Sequence, residues 1–321
     1  MDRIAFVCGN TVLYWNSIVL TLAAAAAICG FLALYRGRGE AAAVVVPLAL
    51  VLSVLLARLT HWYFRPDSYE SFLEAMTDFT SGGYTLLGVF LGCFLAAAAV
   101  RLLALEENLP RLLDAMSLAG CGGIAVGRLA CFFSTADRGQ IMKTIHSLPL
   151  AYPVNNTVTG APEYRLATFV IQAMVTAVIF GLLLAFFLLD KRRRAGDVTL
   201  LFGLLYGMSQ AVLDSTRYDS LYMRSNGFIS VVQLSGAAAM LAVSVIFSLR
   251  MVKARGFRVW YPALWLAMLG CLGGAGYMEY YVQRHSDTGL FSYSIMTACL
   301  AASAALAIFE YARSMEGRPG D

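Results

Sequence analysis

Charge is scarce in this chain. Of 321 residues, 24 are Lys or Arg and 20 are Asp or Glu, together 14%, where a soluble domain carries about 25%. Histidine occurs three times and proline eight times, too few for a His-rich metal centre or a Pro-rich linker. The seven cysteines are odd in number and mostly lie within apolar runs, so they read as small core residues and not as a disulfide framework. No Cys/His spacing resembles a zinc site. The N-terminus lacks the charged n-region and small-residue cleavage site of a removable signal peptide. These shortages exclude a soluble globule, a secreted disulfide scaffold, a disordered chain and a nucleic-acid module.

What fills the chain is hydrophobic: 59% of residues are apolar and the mean hydropathy is +0.68. Roughly 189 apolar residues suffice for eight or nine spans of ~20 residues. The runs fall at 12–35, 41–63, 84–104, 112–133, 166–189, 198–213, 227–249, 259–282 and 289–312. The expected fold is therefore an all-α polytopic membrane bundle of about nine transmembrane helices, with 198–213 the shortest run. The longest polar insert, 134–165, carries Gly139, Pro149, Pro153, Asn155, Asn156 and Pro162 and is expected to form an ordered loop or lid.

Basic residues sort by connection. Arg36 and Arg38, Arg101 and Arg111, Lys191 to Arg194, Arg250 to Arg258, and Arg313 and Arg318 supply 14 of the 24 basic residues, all on alternate connections. The other connections hold Asp67, Glu70, Glu74, Asp78, Asp214 and Asp219. The positive-inside rule then places the N-terminus outside and the C-terminus in the cytoplasm. By the same rule Lys191-Arg192-Arg193-Arg194 reads as a stop-transfer anchor and not as a nucleic-acid patch. Trp15, Trp62, Tyr63, Trp260 and Tyr261 suit the interface belts.

A few polar groups interrupt the apolar runs, where charge is costly and normally lines a cavity or finds a partner. Arg58 and His61 are three residues apart and share a helical face. Arg128 is embedded in the fourth run. Gln210, Asp214 and Arg217 close the sixth. All lie at the outward end of their spans, where arginines can hold a phospholipid phosphate bidentately. The alternative stays open that Arg58, Arg128 and Arg217 snorkel or pair with Glu74, Asp137 or Asp214 merely to satisfy burial. The glycines at 82, 83, 88 and 92, at 120, 122, 123 and 127, and at 270, 273, 274 and 276 are expected to let helices approach closely.

The stretch Gly127-Arg128-Leu129-Ala130-Cys131-Phe132-Phe133-Ser134-Thr135-Ala136-Asp137-Arg138-Gly139 resembles the signature of the prolipoprotein diacylglyceryl transferases, Gly-Arg-x-Gly-Asn-Phe-x-Asn-x-Glu-x-x-Gly. Gly127, Arg128, Phe132 and Gly139 match it; Ala130, Cys131, Ser134 and Ala136 depart. Gly82-Gly83-Tyr84-Thr85-Leu86-Leu87-Gly88 resembles a second family segment. Tyr206-Gly207 through Asp214 and Arg217 resembles a third, and Ile229-Ser230 with Gln233-Leu234-Ser235 a fourth. The resemblance covers seven helices to about residue 258, which leaves residues 259–321 as two additional helices and a short tail.

In that family phosphatidylglycerol donates its diacylglyceryl group to a lipobox cysteine at the outer leaflet. The thiol must be deprotonated to attack the glycerol carbon, and the departing glycerol phosphate needs arginines in a water-poor cavity. By position, the resemblance implies that Arg128 and Arg217 act on the lipid phosphate. It further implies that Asp214 replaces a family glutamate and that Gly139 holds the loop turn; together with Arg58, Tyr84 and Gln210 these residues are expected to bind substrate. The family histidine aligns with Leu87, its asparagines with Cys131 and Ser134, and an essential arginine with Gln210. Trp15-Asn16 occupies the region of an expected tyrosine. His61 is the residue expected to stand in as base. The expected partners are a phospholipid and a lipoprotein precursor. No metal or other cofactor is expected, because arginines already meet the phosphate charge. The competing reading is a phospholipid-binding or partner protein that kept the fold without the reaction. A transporter finds no midplane carboxylate chain or inverted repeat to support it.

Overall fold

The computed structural model describes residues 4–9, 11–78, 82–134, 136–142, 150–155, 160–223, 226–285 and 289–316. Pro149, Asn156, Thr135 and Arg318 lie outside the described residues. Helices dominate: α1 (Trp15–Leu34), α2 (Gly39–Phe64), α3 (Phe72–Thr77), α4 (Leu86–Leu102), α5 (Leu109–Arg128), α6 (Thr168–Leu189), α7 (Asp197–Ser215), α8 (Val231–Arg255), α9 (Tyr261–Arg284) and α10 (Gly289–Met315). The short strands are β1 (Ile4–Cys8), β2 (Thr11–Tyr14), β3 (Ala151–Asn155), β4 (Pro162–Leu166), β5 (Tyr222–Met223) and β6 (Asn226–Ser230).

Seven of these helices are long and apolar enough to cross a membrane: α1, α2, α5 with its 3-10 extension to Phe133, α6, α7, α8 and α10. Seven, among the described residues, is the number that length and apolarity support. The 17 residues of α4 are apolar but short. In α9, 24 residues long, four glycines and several tyrosines dilute the apolar character. The helix at the shortest expected run, 198–213, is longer than that run, because Asp197 starts it and Ser215 ends it. Residues 12–14 and 227–230 are strand where the hydropathy implied helix. Gly9, at φ 60°, turns β1 back on β2 in an antiparallel hairpin, and α8 starts only at a capping box formed by Ser230 and Gln233.

The chain divides into two compact units, one comprising residues 1–202 and 217–224, the other 203–216 and 225–321. In the first, α1 packs on α5, α5 on α6, and α2 on α4. A Cβ at Gly92 would lie 2.5 Å from Ser53 N and 2.6 Å from Leu52 C, and one at Gly88 would overlap the Leu56 carbonyl. These two glycines let the α4 backbone touch the α2 backbone, as small residues do between membrane helices. Gly123 does the same against Ala27 of α1, with a Cβ-to-Cβ approach of 2.8 Å. The apolar core beside them gathers Phe31, Val45, Ala96, Val100, Leu112 and Ala115. Within the polar insert, β3 and β4 pair antiparallel.

In the second unit α10 packs on both α8 and α9. Gly207 and Gly236 mark a close crossing of α7 and α8, where a Cβ on either would meet the other's carbonyl at 2.8 or 2.6 Å. The glycines of α9 depart from expectation. Only Gly274 has a close neighbour, Cys299 Sγ at 3.3 Å, while Gly270, Gly273 and Gly276 face no described atom within 4 Å. Buried Glu310 is satisfied by Ser248 Oγ at 2.7 Å and Trp265 Nε1 at 3.2 Å.

Replacing Gly92 by Val should lower stability by about 1–3 kcal/mol, because an overpacked contact against backbone cannot relax by side-chain rotation. A thermal-unfolding scan of the detergent-solubilised protein checks this. Gly120→Ala, which meets nothing within 4 Å, should leave the transition unchanged.

Candidate functional site

The first unit brings Arg128 and Arg217 onto one carboxylate. Helix α5 ends at Arg128, and a 3-10 turn, Leu129–Phe133, carries the chain on toward Asp137. Asp137 adopts φ 55°, a left-handed conformation that is uncommon outside glycine. Arg128 Nη1 donates to its Oδ2 at 2.5 Å, and Arg217 Nη2 approaches its Oδ1 at 2.6 Å. The backbone N–H of Asp137 donates to Asp219 Oδ2 at 2.9 Å. Arg217 holds Asp219 Oδ1 through Nε at 3.1 Å and Nη2 at 3.0 Å. Two guanidiniums thus meet two carboxylates in a cluster where Arg128, Asp137 and Arg217 side chains are 12–14% exposed and Asp219 is 27% exposed.

Backbone pairing fixes this geometry. Gly139 and Arg217 form an antiparallel bridge, and Tyr218 N donates to Arg138 O at 2.8 Å. A Cβ on Gly139 would fall 2.6 Å from Leu166 Cβ and 2.7 Å from Thr168 Oγ1. Gly139 is therefore required by close packing under the loop. Arg138, which the sequence did not single out, is buried between the rings of Tyr152 and Phe169 at 4.0 and 4.5 Å. Its Nη2 donates to the Cys131 and Ser134 carbonyls at 2.7 and 2.5 Å, locking the 3-10 turn. Cys131, at a family asparagine position, donates its thiol to Asp137 Oδ2 at 3.4 Å. Burial opposes charge on Asp137, but Arg128 and then Arg217 outweigh it and hold the carboxyl down at about 2.

Arg58 belongs to a different arrangement. It is 1% exposed, and its guanidinium donates to three carbonyls: Ala75 at 2.7 Å, Asp78 at 2.5 Å, and Gly82. The Tyr69 and Tyr84 rings lie 5.3 and 5.2 Å from its Cζ. Arg58 ties Ala75, Asp78 and Gly82 to α2, so these partners are carbonyls and not Glu74. His61 Nδ1 hydrogen-bonds the Tyr69 hydroxyl at 2.8 Å. Tyr84 is 45% exposed. Gly83, at φ 78°, leaves room for His61 and Tyr69, since a Cβ there would approach His61 Nδ1 to 3.0 Å.

Gln210 and Asp214 are described within the second unit. Both are buried. Asp214 accepts a hydrogen bond from Ser230 Oγ, and Gln233 Nε2 donates to Ala211 O at 3.2 Å, so this end of α7 fixes the start of α8. Gln210 Nε2 reaches Ser209 Oγ at 3.5 Å. Among the described residues no group of three or more His, Cys, Asp or Glu is placed to hold a metal ion.

The family model for prolipoprotein diacylglyceryl transferase matches residues 3–254. The chain belongs to that family. Similar proteins named phosphatidylglycerol–prolipoprotein diacylglyceryl transferase include one from Finegoldia magna, 26% identical over 247 residues, covering 75% of this chain and 93% of the relative. Another, from Acaryochloris marina, is 26% identical over 244 residues, 72% of this chain and 85% of the relative. A third, from Clostridium botulinum, is 25% identical over 260 residues, 79% and 98%. Prolipoprotein diacylglyceryl transferases are transferases by name, and this member has the multiple apolar helices of a membrane protein.

Within this family member the motif positions serve different ends. Arg128 and Gly139 meet around one loop, which is brought to Arg217 by backbone pairing. The signature glutamate position is Ala136, and the carboxylate instead comes from the next residue, Asp137, in its left-handed conformation. Position 138 holds an arginine that clamps the loop by its backbone carbonyls. The sequence offered Asp137 as one of three candidate partners for the embedded arginines and Asp219 only as one of the acids on the outward connections; nothing in it marked Tyr69.

Asp137→Asn should cost about 3–5 kcal/mol, the scale for breaking a buried ion pair from one side, seen as a lowered unfolding temperature. Because the folded carboxyl titrates below its unfolded value, Asp137 contributes stability that is complete above about pH 4 and is lost as pH falls toward 2. The acid limb of the wild-type stability profile should therefore flatten in Asp137→Asn.

Proposed function

We propose that the protein is a diacylglyceryl transferase that takes the lipid group of phosphatidylglycerol at the extracytoplasmic face and delivers it to a thiol, the lipobox cysteine of a lipoprotein precursor. The observation that carries this reading is the convergence of Arg128 and Arg217 on the 134–139 loop. Asp219 occupies a set of donors well suited to a phosphate: the Asp137 N–H together with Nε and Nη2 of Arg217. Being the most exposed member of the cluster, Asp219 is the one an arriving phosphate displaces. Arg65, whose Nη2 donates to Ser220 O at 3.1 Å and Asp219 O at 3.4 Å, adds positive charge beside it.

The reaction breaks the glycerol carbon–oxygen bond to phosphate and forms a carbon–sulfur bond. The electron pair leaves with glycerol phosphate, whose growing charge falls to Arg128 and Arg217, and the thiol proton goes to a base. Asp137 is too acidic for that task. His61 is proposed for it, as the one imidazole among the described residues of the first unit, with Tyr69 orienting the ring. Tyr84, exposed beside Arg58, is proposed to line the lipid entrance, and Arg58, Gly139, Gln210 and Asp214 are proposed as substrate-binding residues on the family resemblance.

The proposed setting is the bacterial inner membrane, with nine crossings that include α4 and α9, the N-terminus outside and the C-terminus in the cytoplasm. Helices α9 and α10 follow the 3–254 family match and are proposed as an addition to the family domain. A fluorescent protein that matures only in the cytoplasm, fused after Met315, should then fluoresce.

A second reading has its own support. Both arginines already have carboxylate partners, and Leu87 stands where the family has histidine, which suits a protein that binds phospholipid without turnover. Incubation of the purified protein with headgroup-labelled phosphatidylglycerol and a lipobox peptide separates the two. The transferase reading expects lipidated peptide and released glycerol phosphate in equal amounts, and a fall of roughly 100-fold or more in His61→Ala. Full activity in His61→Ala removes the base role alone; tight lipid binding with no product establishes the second reading. Asp219→Asn, which removes the competing carboxylate, should lower KM by up to about tenfold.

A further inference from the structure

A second basic site lies at the opposite, arginine-rich end of the first unit. A cavity of about 440 Å³ opens there between the end of α1, the start of α5, the end of α6 and the 190–196 turn. Its volume is within the ~300–1,000 Å³ typical of small-molecule sites. Arg36, Arg111, Arg193 and Arg194 line it, against a single lining carboxylate, Asp114.

Asp114 does not neutralise the arginines so much as fix the turn that carries two of them. Its Oδ2 accepts from Gly196 N at 2.7 Å, and its Oδ1 from Thr199 N and Thr199 Oγ1, both at 2.9 Å. Gly196, at φ 96°, makes the tight turn into α7. Arg192 N donates to Asp190 Oδ1 at 2.8 Å and Arg194 N to Asp197 Oδ2 at 2.6 Å. On the other wall, Arg111 Nη2 donates to Arg36 O at 3.2 Å, tying α5 to the end of α1. Arg193 lies over the Phe187 ring at 4.2 Å. Tyr35 does not add a free donor, since its hydroxyl donates to Glu106.

The rest of the lining is apolar and includes Ala33, Leu34, Phe187 and Leu188. Leu188 is 62% exposed, and its neighbour Leu189 79%, so the cavity meets the lipid-facing surface of α6. A soluble phosphate needs only the arginines. An amphipathic ligand needs the arginines and this greasy side together.

We propose that this cavity binds the phosphate headgroup of an anionic phospholipid in the leaflet at the arginine-rich end, with the acyl chains running down α6 past Leu188. Basic pockets between membrane helices on that side are suited to such headgroups. The site is separate from the Asp137 cluster and does not depend on the transferase reading.

The test is a lipid titration of the purified full-length protein in detergent, with bound lipid counted by native mass spectrometry. Phosphatidic acid is the probe, phosphatidylcholine the zwitterionic control and glycerol phosphate the soluble competitor. Arg36→Gln/Arg193→Gln removes two lining charges whose side chains brace no backbone described above. It should weaken phosphatidic acid binding at one site by at least about tenfold, with an unchanged unfolding temperature and unchanged diacylglyceryl transfer. Arg250→Gln/Lys253→Gln, basic residues of α8 outside the cavity, should bind as wild type, and excess glycerol phosphate should not displace the lipid. Unaltered binding in Arg36→Gln/Arg193→Gln overturns the proposal. So does an equal loss in the α8 variant, which would mean diffuse charge attraction, or displacement by glycerol phosphate, which would mean a soluble phosphate site.

Discussion

Asp137 is the constraint on which the rest of the site depends. Two arginines cannot stand side by side at the end of a membrane helix without a negative group between them. Asp137 supplies it, from a loop that must turn through a left-handed residue to do so. Everything nearby serves that placement: Gly139 because no side chain fits under the loop, Arg138 because it clamps the preceding turn, and Arg217 because its backbone pairs with Gly139. The same arrangement leaves a set of donors around Asp219 that a phosphate can use.

The two ends of the first unit use charge in different ways. At the Asp137 end guanidiniums and carboxylates balance, and in the proposed reaction a phosphate would compete with Asp219. At the other end four arginines face one carboxylate that is engaged by backbone N–H groups. The first arrangement suits a phosphate that arrives and leaves in a reaction. The second suits one that stays.

Much of the fold was legible because apolar runs of 16–24 residues can hardly be anything but helices in a membrane. The hairpins escaped notice because strands of four or five residues leave no periodicity among such runs. At the site, Arg128, Arg217 and Gly139 were readable as motif positions, and Asp137 as one of several partners an embedded arginine could take. Their meeting was not readable, because it is made by a backbone bridge between 139 and 217. Arg58 looked like a member of the same set because it carries the same charge at the same depth. Its three carbonyl partners come from a segment whose path the sequence does not reveal. Asp219 was legible only as one of several acids on the outward connections, and Tyr69 carried no pattern at all. Gly270, Gly273 and Gly276 looked like packing glycines, but their spacing does not say which face of α9 is covered.

The central claim is that Arg128 and Arg217 act together on the phosphate of phosphatidylglycerol. A double-mutant cycle with Arg128→Gln and Arg217→Gln, read as kcat/KM for transfer to a lipobox peptide, tests it most directly. The account predicts that each single change lowers kcat/KM at least about tenfold and that the double variant loses much less than the product of the two. Folded single variants with wild-type kcat/KM would contradict it.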